Sequence, residues 1–544
     1  MNKKVLVVIS LVVFLGSMIR FRDITTNPPN LNTDEAAIGY NAYSILRTGR
    51  DEYGQFLPLA FRSFDDYKPP LYIYLTVPSV AVFGLNEFAV RFPSAFLGVL
   101  AVVITGFLTK RLLGNWTVGL LASFLLAISP WHVQFTRTAY ETGSNAFFTS
   151  LGLLLFLKGL EKKWFLVGAG IIFGLQTYLY QASKVFVPLL IISIFIIYFR
   201  RINWRQIFLF IIPFILLLVP LINQSFSSTG LLRVRGTSVF QDPKAVERRE
   251  TYERADWLNN DNKSVRLFHQ KSMTYFQDIL VGYLSHFRPD FLLASRTDPK
   301  VAYAPEAGLI PLWTAPFLLI GFSLLFRRKD KTSALLLIAW ILISPIPASI
   351  TTGLPSSIRT AIFLPSWQIV TAWGMWEVLR VIKERYKNLY PPFIIMVIIA
   401  ATYLLAFYAH MLFLHAPEIH ARTWYASYKK FVTDSLTLAP QYSRVIVSAE
   451  LDQPQIFYLF YSKYNPAKYL SEGGTVGGGF SEQKNHLANK FYFRGVDWFK
   501  DSQLPNTLLL AIPKKVPVEA KDHILARYDS LDKKPLAYFL WTDK

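Results

Sequence analysis

The chain contains no cysteine. Disulfides, thiolate metal sites and a cysteine nucleophile are therefore excluded. Charge is also scarce: Asp, Glu, Lys and Arg make up 17% of the 544 residues, 52% are hydrophobic, and mean hydropathy is +0.30. A soluble chain of this length builds its core with far fewer apolar runs. Acids are the rarer sign, 36 against 57 basic residues, for a net charge of +21. The basic excess does not gather into one stripe or domain, so it carries no nucleic-acid signal. A phosphate cradle is missing too: GGTVGGGF (473–480) has no Lys-Ser/Thr after it and reads as a flexible loop. No repeat of fixed period and no inverted symmetry relate the halves, which counts against a secondary transporter.

What the chain does have is apolar runs long enough to cross a hydrocarbon layer, which takes roughly 20 residues each. Short basic clusters separate them: Lys3-Lys4, Lys110-Arg111, Lys158 with Lys162-Lys163, Arg200-Arg201 with Arg205, Arg327 through Lys331, and Arg380 through Lys387. If all of these face the cytoplasm, the runs near 5–20, 88–109, 116–132, 142–158, 164–180, 184–199, 206–222, 309–326, 333–350, 358–379 and 390–413 make about eleven crossings. The amino terminus is then inside and the carboxyl terminus outside. Lys3-Lys4 and Val5–Ile19 resemble a signal peptide, but many spans follow and no convincing small-residue cleavage site does, so this reads as an uncleaved first span. Leu71–Gly84 is short for a span and has no basic cluster at its far end, so it reads as lying in the outer interface.

The expected fold class is therefore a polytopic α-helical membrane protein with a small C-terminal extracytoplasmic α/β domain. Residues 1–413 form the transmembrane domain, with long outer loops at 21–87 and 223–308, and residues 414–544 form the outer domain. In the first loop Ile38, Ala42 and Ile45 predict one apolar stripe on a helix over Asp34–Leu46, lying along the membrane surface. In the outer domain RVIVSAE (444–450) and NTLLLAI (506–512) predict strands and Gln453–Tyr469 a helix.

Candidate chemistry collects on the outer face. Asp34 and Glu35 open the first-loop helix; first-turn acids of this kind commonly do no more than complement the helix dipole. Three further features favour a reaction there. Glu141 stands at the outer end of the third span, Lys68 precedes Pro69-Pro70, and His286, Arg288 and Asp290 mark a further site in the second long loop. A hydroxyl acceptor needs a carboxylate to take its proton, and a departing phosphate needs a cation aimed at it. Lys68 or Arg359 suits the headgroup of a lipid phosphate at the interface, although Arg359 suits an interfacial anchor equally. Asp65-Asp66 reads as loop solvation; Tyr178, Tyr180, Gln181 and Lys184 read as aromatic belt and snorkelling lysine.

The order TDEAAIGYNAYSILRTG (33–49), YKPPLYIYL (67–75), GLNEFAVRFPSAFLGVL (84–100) and SPWHVQFTRTAYETG (129–143) resembles the dolichyl-phosphate-mannose–protein mannosyltransferase superfamily. Weaker echoes are SHFRPDFLL (285–293) and IPASITTGLPSSIRTAIFLP (346–365). These membrane glycosyltransferases have the GT-C fold, and their bacterial relatives include the lipid A aminoarabinose transferases. The resemblance implies a polyprenyl-phosphate sugar donor, inverting transfer to an exported protein, lipid or glycan, and an active site in the outer loops among membrane lipids. It makes Asp34 the catalytic base, Glu35 its companion, Glu141 a second acid, Lys68 a donor-phosphate contact and Arg91 a structural arginine. Some relatives hold a divalent metal ion, for which Glu35 and His286 are the candidate ligands. Two other readings use the same basic interface: a flippase for a lipid-linked sugar, which would need polar or broken helices at mid-membrane, and a glycan ligase or polymerase using diphosphate-linked donors.

Overall fold

The computed structural model describes residues 2–64, 66–225, 238–259, 268, 270–294, 304–328, 330–476 and 486–542. Expectations for Asp65 and for much of GGTVGGGF fall outside these residues. The chain divides into two units: residues 1–21 with 94–409, and residues 22–93 with 410–544.

Each apolar run marked out above holds a helix. Among the described residues, five helices are long and apolar enough to cross a membrane: Lys3–Phe21, Glu87–Leu113, Trp204–Gln224, Lys331–Ser349 and Lys387–Ile419. A sixth is the pair Trp116–Ala127 and Pro130–Thr136, bent by 57°. Others, such as Phe165–Thr177 and Ser183–Tyr198, are shorter apolar helices. At 1.5 Å per residue these reach about 20–24 Å, less than the ~30 Å hydrocarbon core. By this stricter measure there are fewer full-length spans than apolar runs.

The first unit is helical. The bend in its third apolar run has a local cause. Pro130 starts a new helix after Ser129, whose hydroxyl caps it, and this leaves the last carbonyls of Trp116–Ala127 without helical partners. Arg20, fully buried, donates to the carbonyls of Leu126 and Ala127 and to Nδ1 of His132 at 2.8 Å. Arg137 in turn donates to the carbonyls of Ile19 and Arg20 at the end of the first helix. Each guanidinium caps a helix C-terminus, where positive charge is favoured. Elsewhere helices Ala315–Arg327 and Ser366–Arg385 approach until a Cβ on Gly374 would stand 1.9 Å from the Phe317 carbonyl oxygen. Such contacts are built from small residues because lipid gives helices no hydrophobic reason to associate.

The second unit combines the first long loop with the C-terminal segment. Its six-stranded sheet has β3 (Arg444–Ser448) between β5 (Phe491–Arg494) and β6 (Thr507–Ala511), all three parallel. The antiparallel strands β4 (His486–Leu487), β7 (Ile524–Asp529) and β8 (Pro535–Trp541) complete the order β4-β5-β3-β6-β8-β7. The central strands are buried almost throughout, as a covered parallel sheet requires. The helix expected over Gln453–Tyr469 is two, Pro454–Tyr461 and Pro466–Ser471, because Asn465-Pro466 starts a new one.

The first-loop helix, Thr33–Thr48, departs further from expectation. It does not present one stripe: every residue from Glu35 to Ala42 is buried, as are Ser44 and Ile45. It packs against Leu71–Phe83 on one side and Pro454–Tyr461 on another. Small residues permit this; a Cβ on Gly39 would lie 2.5 Å from the Phe460 ring and 2.6 Å from Val90.

Candidate active site

Asp34 and Glu35 are adjacent in sequence but have unlike surroundings. Asn32 caps the helix, accepting from the Glu35 amide at 2.8 Å, while Glu35 Oε2 accepts from the Asn32 amide at 3.1 Å. This reciprocal capping box turns Glu35 inward. There Arg91 donates from Nε to Oε1 and from Nη2 to Oε2, both at 3.0 Å, with both side chains buried. The same guanidinium donates to the carbonyls of Ile24, Pro28 and Asn30. Glu35 and Arg91 thus pin the loop before the helix.

Asp34 faces the other way, with its side chain 46% exposed. Its Oδ1 lies 2.9 Å from Nζ of Lys68, whose side chain is only 9% exposed. A hairpin aims the lysine. β1 (Phe61–Ser63) and β2 (Asp66–Lys68) pair antiparallel with Phe61 opposite Lys68, and Pro69-Pro70 lead into the helix Leu71–Phe83. A carboxylate open to solvent and a nearly buried ammonium therefore meet at the surface of this unit.

The remaining sequence candidates lie in the other unit. Glu141 opens a short 3-10 helix and is mostly buried. Its neighbour Thr142 donates to the Ile358 carbonyl at 2.8 Å, which ties this segment to the one carrying Arg359. Arg359, half-buried, donates to the Thr351 hydroxyl at 2.7 Å and to the Thr352 carbonyl. Arg288 and Asp290 form a forked ion pair with each other, both about 60% exposed.

His286 is fully buried; Nδ1 donates to the Gly282 carbonyl at 2.8 Å and Nε2 accepts from the Ser356 amide at 3.1 Å. Burial lowers its pKa to about 4, so the imidazole is neutral. With both ring nitrogens bonded to backbone and both Glu35 oxygens bonded to Arg91, neither side chain fits a metal-ligand role. Among the described residues no group of three or more His, Asp or Glu could hold a metal ion.

One carboxylate escaped sequence reading. Glu52, fully buried, accepts from Asn41 Nδ2 at 2.9 Å and from the Thr475 hydroxyl at 2.8 Å, and its carbonyl accepts from the Thr475 amide. Burial raises its pKa to about 7. No spacing signal could have found it, because Thr475 is 423 residues away.

Residues 67–223 match the dolichyl-phosphate-mannose-protein mannosyltransferase family. The Bacillus subtilis protein YkcB is 30% identical over 126 residues, 22% of this chain and 17% of that one. The aligned stretch spans less than a third of the curated relatives it matches. Among solved structures, ArnT from Cupriavidus metallidurans in the apo state is similar with a TM-score of 0.53 at 12% identity, covering 97% of each chain. The oligosaccharyltransferase AglB from Archaeoglobus fulgidus, in complex with an inhibitory peptide and a dolichol-phosphate, gives 0.52 at 14%, over 84% of this chain and 64% of that one. By its fold this multi-pass membrane protein is similar to ArnT and AglB, and its match to the mannosyltransferase family is confined to residues 67–223.

Proposed function

We propose that this protein transfers a sugar from a polyprenyl-phosphate donor to a hydroxyl of an exported acceptor, with Asp34 as general base. The observation that carries the reading is the Asp34–Lys68 pair, an exposed carboxylate against a buried ammonium at 2.9 Å. The dolichol-phosphate held by the structurally similar AglB supports the choice of donor class.

The step is a single displacement. The acceptor oxygen attacks the anomeric carbon, the bond from that carbon to the phosphate oxygen breaks, and the acceptor proton passes to Asp34. Attack opposite the leaving group inverts the anomeric centre. The departing polyprenyl phosphate gains negative charge, which Lys68 meets. Before donor arrives, Lys68 neutralises Asp34. A phosphate that draws the ammonium to itself leaves the Asp34 carboxylate free to accept the acceptor proton as the base is needed. The distribution of basic clusters between the apolar runs supports a reaction at the extracytoplasmic face, with the amino terminus inside.

The test is purified full-length protein with a radiolabelled polyprenyl-phosphate sugar and an envelope extract as acceptor source. Asp34→Asn should cut transfer by at least about a hundredfold while the protein remains folded; full activity in that variant removes Asp34 from the role. Release of polyprenyl monophosphate supports this reading. Intact donor that has changed leaflet would favour the flippase, and polyprenyl diphosphate the ligase or polymerase.

A further inference from the structure

In the helical unit, the turn after helix Asn145–Gly159 and the start of helix Trp204–Ser225 enclose a groove of about 850 Å³. Its mouth carries Lys162, Lys163 and Arg205, together with Trp164 and Trp204, which are 71% and 64% exposed. The lysine ammonium of Lys163 lies over the Trp164 ring and the Arg205 guanidinium over the Trp204 ring. Glu161, the acid at the rim, is engaged by Arg111. Among the described residues no carboxylate pairs with Lys162, Lys163 or Arg205.

Two other basic clusters include paired arginines. Arg380 is held by Glu377 and Glu384, and Arg328 lies beside Asp330. The groove is thus a place where basic residues line a concavity without internal neutralisation.

Its wall is apolar. Phe208 and Ile212, one helical turn apart, continue the groove along a helix whose membrane-length stretch is only 17% buried. Cations and indole rings at the mouth, with an apolar wall leading along a lipid-exposed helix, match an amphiphile whose anionic head sits at the interface and whose chains enter the hydrocarbon. A soluble phosphate would leave that wall uncovered.

We propose that this groove binds the phosphodiester headgroup of an anionic membrane lipid, at a site separate from the transfer reaction. The test is native mass spectrometry of the full-length protein in detergent with equimolar phosphatidylglycerol and phosphatidylcholine of matched chains. The expected result is preferential retention of phosphatidylglycerol, reduced at least about tenfold in the variant Lys162→Gln, Lys163→Gln, Arg205→Gln. A control with Arg327→Gln, Lys383→Gln and Arg385→Gln removes equal charge elsewhere and should keep the preference. Trp204→Ala should weaken it as well, with melting unchanged because the side chain is exposed. Equal retention of both lipids by the unaltered protein, or equal loss in the control, overturns the proposal. So does full competition by sn-glycerol 3-phosphate, which would make the groove a site for soluble phosphate.

Discussion

The carboxylates of Asp34 and Glu35, one peptide bond apart, serve opposite ends: Lys68 meets Asp34 at 2.9 Å near solvent, and Arg91 grips Glu35 at 3.0 Å in the interior. An interior ion pair costs little when complete and much when halved. The division separates a group that can exchange its partner from one that cannot.

Arg91→Met leaves the Glu35 carboxylate buried without its cation and frees three loop carbonyls. It should destabilise the protein by about 3–5 kcal/mol. Replacing both members, Glu35→Leu with Arg91→Met, should recover part of that loss. Thermal melting of the two variants checks it; equal melting temperatures would show that the pair itself matters little.

On the reaction, Asp34→Asn should lower kcat by about 10²- to 10⁴-fold, the usual worth of a positioned general base. Lys68→Gln should act through donor, raising KM for the polyprenyl-phosphate sugar as well as lowering kcat, and Lys68→Arg should restore part of the activity. A Lys68→Gln enzyme with unchanged donor kinetics would contradict phosphate contact.

Glu52 sets a pH dependence of a particular sign. Its folded pKa of about 7 exceeds the ordinary 4.5, so between those values the folded state binds more protons than the unfolded one. Stability from this group is complete below pH 4.5, falls as pH rises, and levels off above 7. The total is on the order of 3 kcal/mol. The melting temperature of the unaltered protein minus that of Glu52→Gln should therefore decline across this window. A flat difference would show that Glu52 is ionised in the fold.

His286 works in the other direction. With its pKa lowered from 6.5 to about 4, the unfolded state binds the extra proton, and stability rises with pH between those values. His286→Asn should flatten that rise and lower the melting point above pH 6.5 through loss of the Gly282 and Ser356 bonds. A variant as stable as the original at pH 7.5 would mean that these bonds are dispensable.

Sequence alone determined the helices of the apolar runs, strands β3 and β6, and the break at Pro69-Pro70 between Lys68 and the helix Leu71–Phe83. These rest on local signals: apolar run length, alternation, and the fixed backbone of proline. Tertiary structure decided which acid of the doublet faces Lys68, that Thr33–Thr48 is buried on several sides, and that Glu52 meets Thr475. It also withdrew His286 from metal binding by occupying both ring nitrogens. The reason is physical. Periodicity reports which side of an element is apolar, but a charged side chain's partner depends on chain segments distant in sequence, and a hairpin of three-residue strands is too short to show a period.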